Sequence, residues 1–582
     1  MDKDAEIDNS LSAFEKQVAS RMMISLNDFS EQPVTELSVS LTELIQDIPL
    51  AGVILFASNF ESIEQTIQLT HAIQASRVQD TLPLLIATDQ EGGRVVRLPR
   101  HWSHALSGNM AIGATYPDLG IDYAQKTGTV LANELKALGI NVNFAPTIDV
   151  NANPDNPVIN TRSFGAQPAV VAKLGIAMID AIQAQGVAAA AKHFPGHGDT
   201  DVDSHVGLPQ VNRSWPDLLT TDLRPFTEVI AKANPAMVMA AHIQYPKLDP
   251  TTYRGKDDSA ITTPATMSRK ILHDVLRLEF NYQGVVVTDA LDMAGVSDYF
   301  DPVDVVVETF RAGADIALMP FKNHSGQCGQ ALKEFIKTVS QRLLAAGYTE
   351  DEMQQSITRL NAVKTQFALP QRTYDEALEQ AKQTFATSDY DEWQFQLAHA
   401  AITVIDEAHT LPLTSATNIE IIADERMQAD YLKQAITQAS NERLKRANVQ
   451  SSVWSDLIFA DDQQPLETTR LILIDDGYQS PVLEGGATSN RMSNALKRAT
   501  LSRLLDNKAA GITNVLIALQ SPYDVADFIK QSDATIFCYH AVLTKNPETG
   551  QLSSPAYDAL ANILTGTETA TGRLPVSLKR SD

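Results

Sequence analysis

Cysteine, positive charge and long apolar runs are all scarce in this chain, and each shortage closes off a class of protein. Two cysteines in 582 residues, Cys328 and Cys538, are too few for a disulfide scaffold. They lie far apart, in or near apolar segments, and read as packing residues of a protein kept in a reducing compartment. Against 71 acidic side chains stand 46 basic ones, leaving a net charge of −25. So acidic a chain is not built to bind nucleic acid or an anionic membrane surface. No run of about 18 apolar residues occurs, so no bilayer-spanning helix is expected. The start, Met1-Asp2-Lys3-Asp4-Ala5-Glu6, is polar and lacks the apolar centre of a signal peptide. The expectation is a cytoplasmic protein, or an extracellular one whose leader is missing. Internal repeats and low-complexity tracts are absent too.

What is present is the composition of a soluble globular protein, 44% hydrophobic with a mean hydropathy of −0.14. The length exceeds one ordinary core, so two domains or three are expected. Short apolar runs at Met22–Ile24, Val53–Ala57, Leu84–Thr88, Val142–Pro146, Val187–Lys192, Met237–His242, Val285–Thr288 and Ile316–Met319 read as strands. Helical patterns separate them, such as Val130-Leu131-Leu135-Leu138 stopped by Gly139, and Leu223 to Ala233. Eight strand–helix units in about 350 residues predict a (β/α)₈ barrel rather than an open doubly wound sheet. A polar leader over 1–13, a barrel over 14–370, a linker helix over 371–390 and a C-terminal α/β sandwich over 391–582 complete the layout. The last rests on runs at Ile402–Ile405, Ile419–Ile422, Leu471–Ile474, Val515–Leu519 and Ile536–Tyr539.

Polar residues gather where the barrel strands end, and a barrel brings those ends to one face. Thr88-Asp89-Gln90-Glu91-Gly92-Gly93-Arg94 follows the third run, and Asn143 to Asp149 the fourth, with Asn151, Asn156 and Arg162 beyond it. Lys192 and His193 close the fifth, His242 the sixth, and Asp289 the seventh. The densest stretch is Lys192-His193-Phe194-Pro195-Gly196-His197-Gly198-Asp199-Thr200-Asp201-Val202-Asp203-Ser204-His205, three histidines and three aspartates on a loop loosened by two glycines. Three readings compete there. One is a solvated polar turn. Another is a calcium loop from Asp199, Asp201 and Asp203, against which Ser204 and Gln210 stand where glycine and glutamate are required. The third is an acid/base pair with Asp203 orienting His205, since a carboxylate on one ring nitrogen makes the other a better base. Asp89 and Arg162 could also be a structural ion pair at the rim. No site carries a complete metal-ligand set, so neither metal nor other cofactor is expected.

Together these motifs resemble glycoside hydrolase family 3, in its β-N-acetylglucosaminidase (β-hexosaminidase) branch. The resemblance rests on Asp89-Gln90-Glu91-Gly92-Gly93-Arg94-Val95-Val96-Arg97, on Asn143-Phe144-Ala145-Pro146 through Arg162-Ser163-Phe164-Gly165, on Lys192 to His205, and on Val287-Thr288-Asp289-Ala290-Leu291. Ser521-Pro522-Tyr523-Asp524 and Gly572-Arg573-Leu574-Pro575-Val576 extend it into the second half. The resemblance implies that Asp289 is the nucleophile and His205, paired with Asp203, the acid/base. It implies that Asp89, Arg97, Arg162, Lys192 and His193 hold a non-reducing terminal N-acetylglucosamine. The implied activity is retaining, exo-acting removal of that sugar from muropeptide or related cell-wall fragments, with a small carbohydrate as the only implied partner. A phosphorylase competes, because a histidine acid/base does not repel incoming phosphate. The nearest rival is a β-glucosidase or β-xylosidase of the same family, against which stand Ala290 after Asp289, where those enzymes carry tryptophan, and the Asp203–His205 pair in the barrel. Against a silent sugar-binding protein stand the intact Asp289, Asp203 and His205. His197 reads as a loop-structuring residue, His242 as either a core histidine or a pocket member, Glu91 as a partner of the sugar-binding residues.

Overall fold

Short apolar runs, each followed by a polar turn and an amphipathic helix, wind into a barrel. The computed structural model describes residues 10–104, 106–204, 207–324, 328–413, 418–439, 444, 447–453, 468–475 and 494–578. The first nine residues of the expected leader lie outside that set. Eight parallel strands form the first sheet: β1 (Met22–Ser25), β2 (Gly52–Ile54), β3 (Leu85–Thr88), β4 (Val142–Asn143), β5 (Ala188–Phe194), β6 (Met237–Ala240), β7 (Val285–Thr288) and β8 (Ala317–Leu318). Each pairs with the next in sequence up to β7, and β8 pairs back onto β1. A parallel bridge between Val287 and Ile316 joins the two ends. The expected barrel is formed, on the expected runs.

Alternation along each strand explains why those runs are apolar throughout. Met23, Ile54, Leu85, Ala87, Val142, Ala188, Ala190, Met237, Val285 and Val287 point inward and fill the barrel. Their neighbours Ile24, Val53, Ile86, Ala189, Ala191, Val238 and Val286 point outward beneath the helices. A strand buried on both faces has no polar side to show. What remains polar is the end of each strand, and those ends share one rim.

Helices Tyr374–Phe385 and Ser388–Ala401 lead from the barrel to the second sheet. The first opens on a capping box in which Thr373 and Glu376 satisfy each other's backbone N–H groups. The second sheet holds β9 (Thr403–Ile405), β10 (Asn418–Ala423), β11 (Asn448–Val453), β12 (Thr468–Ile474), β13 (Thr513–Ala518) and β14 (Ala534–Phe537). Its order is β9-β14-β13-β12-β10-β11, parallel except for β9. Strand β11 escaped the sequence reading because it lies at the edge of the sheet. Asn448-Val449-Gln450-Ser451-Ser452-Val453 is partly exposed along its length and carries no apolar run. Both cysteines are buried, as packing residues. No helix among the described residues is long and apolar enough to cross a membrane.

Candidate active site

The turn after β3 is held by hydrogen bonds to the end of the neighbouring strand and within itself. Asn143, at the end of β4, accepts from the Gln90 N–H (3.0 Å) and donates to the Gln90 carbonyl (2.9 Å). The Gln90 side chain in turn accepts from the backbone N–H groups of Arg97 (2.7 Å) and Leu98 (3.2 Å). Asp89 and Glu91 are thereby aimed from one rigid turn, and Arg97 is brought beside them. Asp89 lies 2.8 Å from Lys192 Nζ and 3.7 Å from Arg97 Nη2. Glu91 takes Lys192 (2.7 Å) and both faces of the Arg162 fork, Nη2 at 2.8 Å and Nε at 3.1 Å. Arg162 is therefore paired with Glu91, and the rim pair considered for Asp89 and Arg162 is not the one formed. Glu91 is 2% exposed. Burial alone would raise its pKa, but Arg162 and Lys192 outweigh burial and hold the carboxyl far below the usual carboxylate range.

Strand β5 delivers Lys192 and His193 to the same face. Two of the three Lys192 N–H bonds are spent on Asp89 and Glu91, leaving one for a ligand. His193 donates from Nδ1 to Asp149 (2.7 Å), and Arg162 Nη2 lies 3.3 Å from its Nε2. Asp149 is fully buried and also accepts the backbone N–H of His197 (2.7 Å). Burial pushes its pKa up, but His193 and His197 pull it below the ordinary value. His197 bonds Thr200 through Nδ1 (2.8 Å) and Ser204 through Nε2 (3.1 Å). Burial, with His193 beside it, lowers its pKa to about 4. Tied at both nitrogens, the ring braces the loop through Thr200 and Ser204. Gly198 allows that loop to lie against the next one, since a Cβ there would sit 1.7 Å from the Val150 carbonyl oxygen.

Asp289 stands at the end of β7, half-buried. Its backbone N–H donates to the Ala240 carbonyl (2.8 Å), and its Oδ1 accepts from the Ala290 N–H (2.9 Å). His242 is buried beneath, bonding the Ala290 carbonyl through Nε2 (2.9 Å) and Thr266 through Nδ1 (2.9 Å). It is thus a core histidine with a task, steadying the residue after Asp289. Asp292 does not turn away on a helix, because the next helix begins only at Ala294, and both carboxylates line the same cleft.

Asp203 is buried on the loop that faces this strand end. Ser204 lines the cleft, and its carbonyl accepts from the Gly295 N–H (2.9 Å), a few residues past Asp289. His205 lies outside the described residues. Of the calcium reading, Asp199 is taken by Arg213 at 2.7 Å.

The cleft measures about 840 Å³, within the usual range for a small-molecule site. Asp89, Arg97, Arg162, Lys192, His193 and Asp289 all line it. Arg97 is 3% exposed, lies over the Phe56 ring at 5.6 Å, and its Nε–H has no partner among the described residues. Asp149 escaped selection from sequence, although a carboxylate closing the polar run after the fourth strand was the available signal. Asp28 escaped entirely. It sits after β1, where burial and Asp292 raise its pKa to about 7, against Lys322.

Residues 18–363 match the family described as Glycosyl hydrolase family 3 N terminal domain. Beta-hexosaminidase A of Pseudoalteromonas piscicida is 39% identical, over 94% of this chain and 92% of its own length. A β-N-acetylglucosaminidase of glycoside hydrolase family 3 from Paenibacillus sp. FPU-7 superposes with a TM-score of 0.76 at 27% identity, covering 98% of this chain and all of the other. NagZ of Neisseria gonorrhoeae, 28% identical, superposes with a TM-score of 0.51 on 65% of this chain and 96% of its own.

Proposed function

The chain belongs to glycosyl hydrolase family 3 and is a glycoside hydrolase, and on that premise we propose that it is a retaining, exo-acting β-N-acetylglucosaminidase. Its substrates on this reading are muropeptide and related cell-wall fragments carrying a non-reducing terminal N-acetylglucosamine. One observation carries the proposal: Asp289, at a strand end, shares a cleft with the polar wall of Asp89, Lys192, Arg162 and His193. Such a wall suits a ring bearing several hydroxyls, because charged donors and acceptors with fixed positions bind them in pairs.

In the first step an Asp289 carboxylate oxygen bonds to the sugar C1 as the C1–O bond to the leaving group breaks. His205, as imidazolium, gives its proton to the departing oxygen, steadied by Asp203. In the second step neutral His205 takes a proton from water, whose oxygen attacks C1. The bond to Asp289 breaks, and N-acetylglucosamine leaves with its β configuration kept. Asp89, Arg97, Arg162, Lys192 and His193 hold the sugar throughout.

The test is hydrolysis of p-nitrophenyl N-acetyl-β-glucosaminide, the matching glucoside and a defined muropeptide, with products followed by NMR in phosphate buffer. The expected result is N-acetylglucosamine, β anomer first, from the first and third substrates. Faster cleavage of the glucoside, an α anomer formed first, or a sugar 1-phosphate as product would overturn the proposal.

A further inference from the structure

Arg162 sits on a long loop between β4 and the helix Pro168–Ala184, and that loop has only one short helical turn, Asn160–Arg162, of its own. Loops of that length without regular structure need outside anchors to hold one shape. On the barrel side, Asn156 Nδ2 donates to the His197 carbonyl (2.7 Å) and Asn153 Nδ2 to that of Thr200 (3.2 Å). Asn109 Nδ2 holds the Arg162 carbonyl itself (2.7 Å), and the Asn153 N–H donates to the Gly198 carbonyl (3.2 Å). Further anchors come from the second domain. Ser521 Oγ donates to Asn160 Oδ1 (2.8 Å), two residues before Arg162. The Tyr523 hydroxyl accepts from Asn151 Nδ2 (2.9 Å). The Ala166 N–H donates to the Pro575 carbonyl (3.0 Å), four residues after Arg162.

The backbone is shaped for these contacts. Asn160 has φ 41°, a left-handed conformation that asparagine tolerates better than most residues. Gly165 has φ 145°, and a Cβ there would lie 2.6 Å from the Pro575 oxygen. The Arg573 N–H donates to the Ala114 carbonyl (2.9 Å), seating the same segment on the barrel. Burial pushes the Tyr523 phenol up to about 12, so it keeps its proton under ordinary conditions.

We infer that the C-terminal domain is a working part of the sugar site. Ser521 and Tyr523 are positioning residues that set the loop carrying Arg162, and through Arg162 the orientation of Glu91 and His193. The inference rests on the proposed function, since it assigns Arg162 to the bound sugar. Neither Ser521 nor Tyr523 lines the cleft itself.

The test is the full chain carrying S521A and Y523F together. Losing both interdomain hydrogen bonds, together with the local Tyr523 N–H bond to Ser521 Oγ (3.3 Å), should raise KM for the N-acetylglucosaminide and the inhibition constant of N-acetylglucosamine by about tenfold, with kcat changed less. Y390F is the control. It removes the acceptor of the Asn133 bond to a helix joining the domains (2.9 Å), far in sequence from the Arg162 loop, and should leave both constants unchanged. In an R162K background the double substitution should add almost nothing, because the route to the sugar is already broken. Wild-type constants in S521A/Y523F, equal effects from Y390F, or full additivity with R162K would each overturn the inference. If the wild type turned over another glycoside instead, the proposed function would fail, and the same constants measured on that glycoside would still decide the coupling.

Discussion

Replacing Glu91 by glutamine tests the charge balance that organises the cleft. Asp89, Glu91 and Asp149 supply three negative charges, and Lys192, Arg162 and Arg97 three positive ones, around a His193 whose two ring nitrogens are engaged. Glu91 accepts from Lys192, from two nitrogens of Arg162 and, at 3.2 Å, from the Thr147 hydroxyl. In E91Q one of its oxygens becomes an NH₂ that opposes donors with donors, and one buried positive charge is left unbalanced. Breaking a buried ion pair from one side costs about 3–5 kcal/mol. For a barrel of about 350 residues, at about 1.4 °C per kcal/mol, that predicts a fall of about 4–7 °C in Tm. Lys192 and Arg162 lose their shared anchor, so kcat/KM should fall at least about 100-fold, equivalent to about 2.7 kcal/mol of transition-state binding.

The pH dependence has a definite sign. Because the folded-state pKa of Glu91 is depressed, its contribution is complete above the ordinary carboxylate pKa of about 4.3 and is lost as pH falls from there through the folded value. The Tm difference between wild type and E91Q should therefore be full near neutrality and shrink as the solution is made more acidic than about pH 4. Calorimetry across that range, with turnover of the nitrophenyl substrate, reads both effects. A variant melting within about 1 °C of wild type, with kcat/KM within about twofold, would refute the reasoning. So would a Tm difference that did not narrow in acid.

Four further outcomes are expected. D289A should abolish turnover while N-acetylglucosamine still binds, and a 2-fluoro glycosyl inhibitor should label Asp289. Label on Asp292, which lines the same cleft, would reverse the assignment. H205A should slow substrates with poor leaving groups far more than nitrophenyl ones, and D203N should weaken both proton steps. Equal slowing across leaving groups would remove His205 from the chemistry. Chelator should leave activity intact, and calcium- or zinc-restored loss would show that a metal is needed. Thiol reagents should label Cys328 and Cys538 only on unfolding, since both are buried and burial lifts the Cys538 thiol to about 12; rapid labelling of the native protein would contradict that burial.

The barrel was legible in the sequence because strands buried on both faces must be apolar throughout, while strand ends on one rim are freed from that demand. Val187 to Ala191 was short enough, and flanked suitably, to read as a buried strand. The same logic found five strands of the second sheet, the edge strand β9 among them, and missed β11, whose partly exposed edge carries no apolar run. Likewise the phase of the strands put Asp89, Lys192, His193 and Asp289 at the rim with Arg162 beyond, whereas Arg97 and the choice of these residues as a sugar-holding set came from the family resemblance. Which of them pair came from neither. That Arg162 takes Glu91 rather than Asp89 depends on how a turn of β3 faces a loop of β4, a distance no local pattern encodes. The isolation of Asp149 beneath two histidines and the approach of Asp28 to Asp292 are likewise consequences of packing. So is the grip of Ser521 on Asn160, which joins residues 361 apart in the chain. Sequence determines which residues must be buried and which can be spared for chemistry. Their mutual distances exist only once the barrel has closed, because charge pairing acts through space and falls away within a few ångströms.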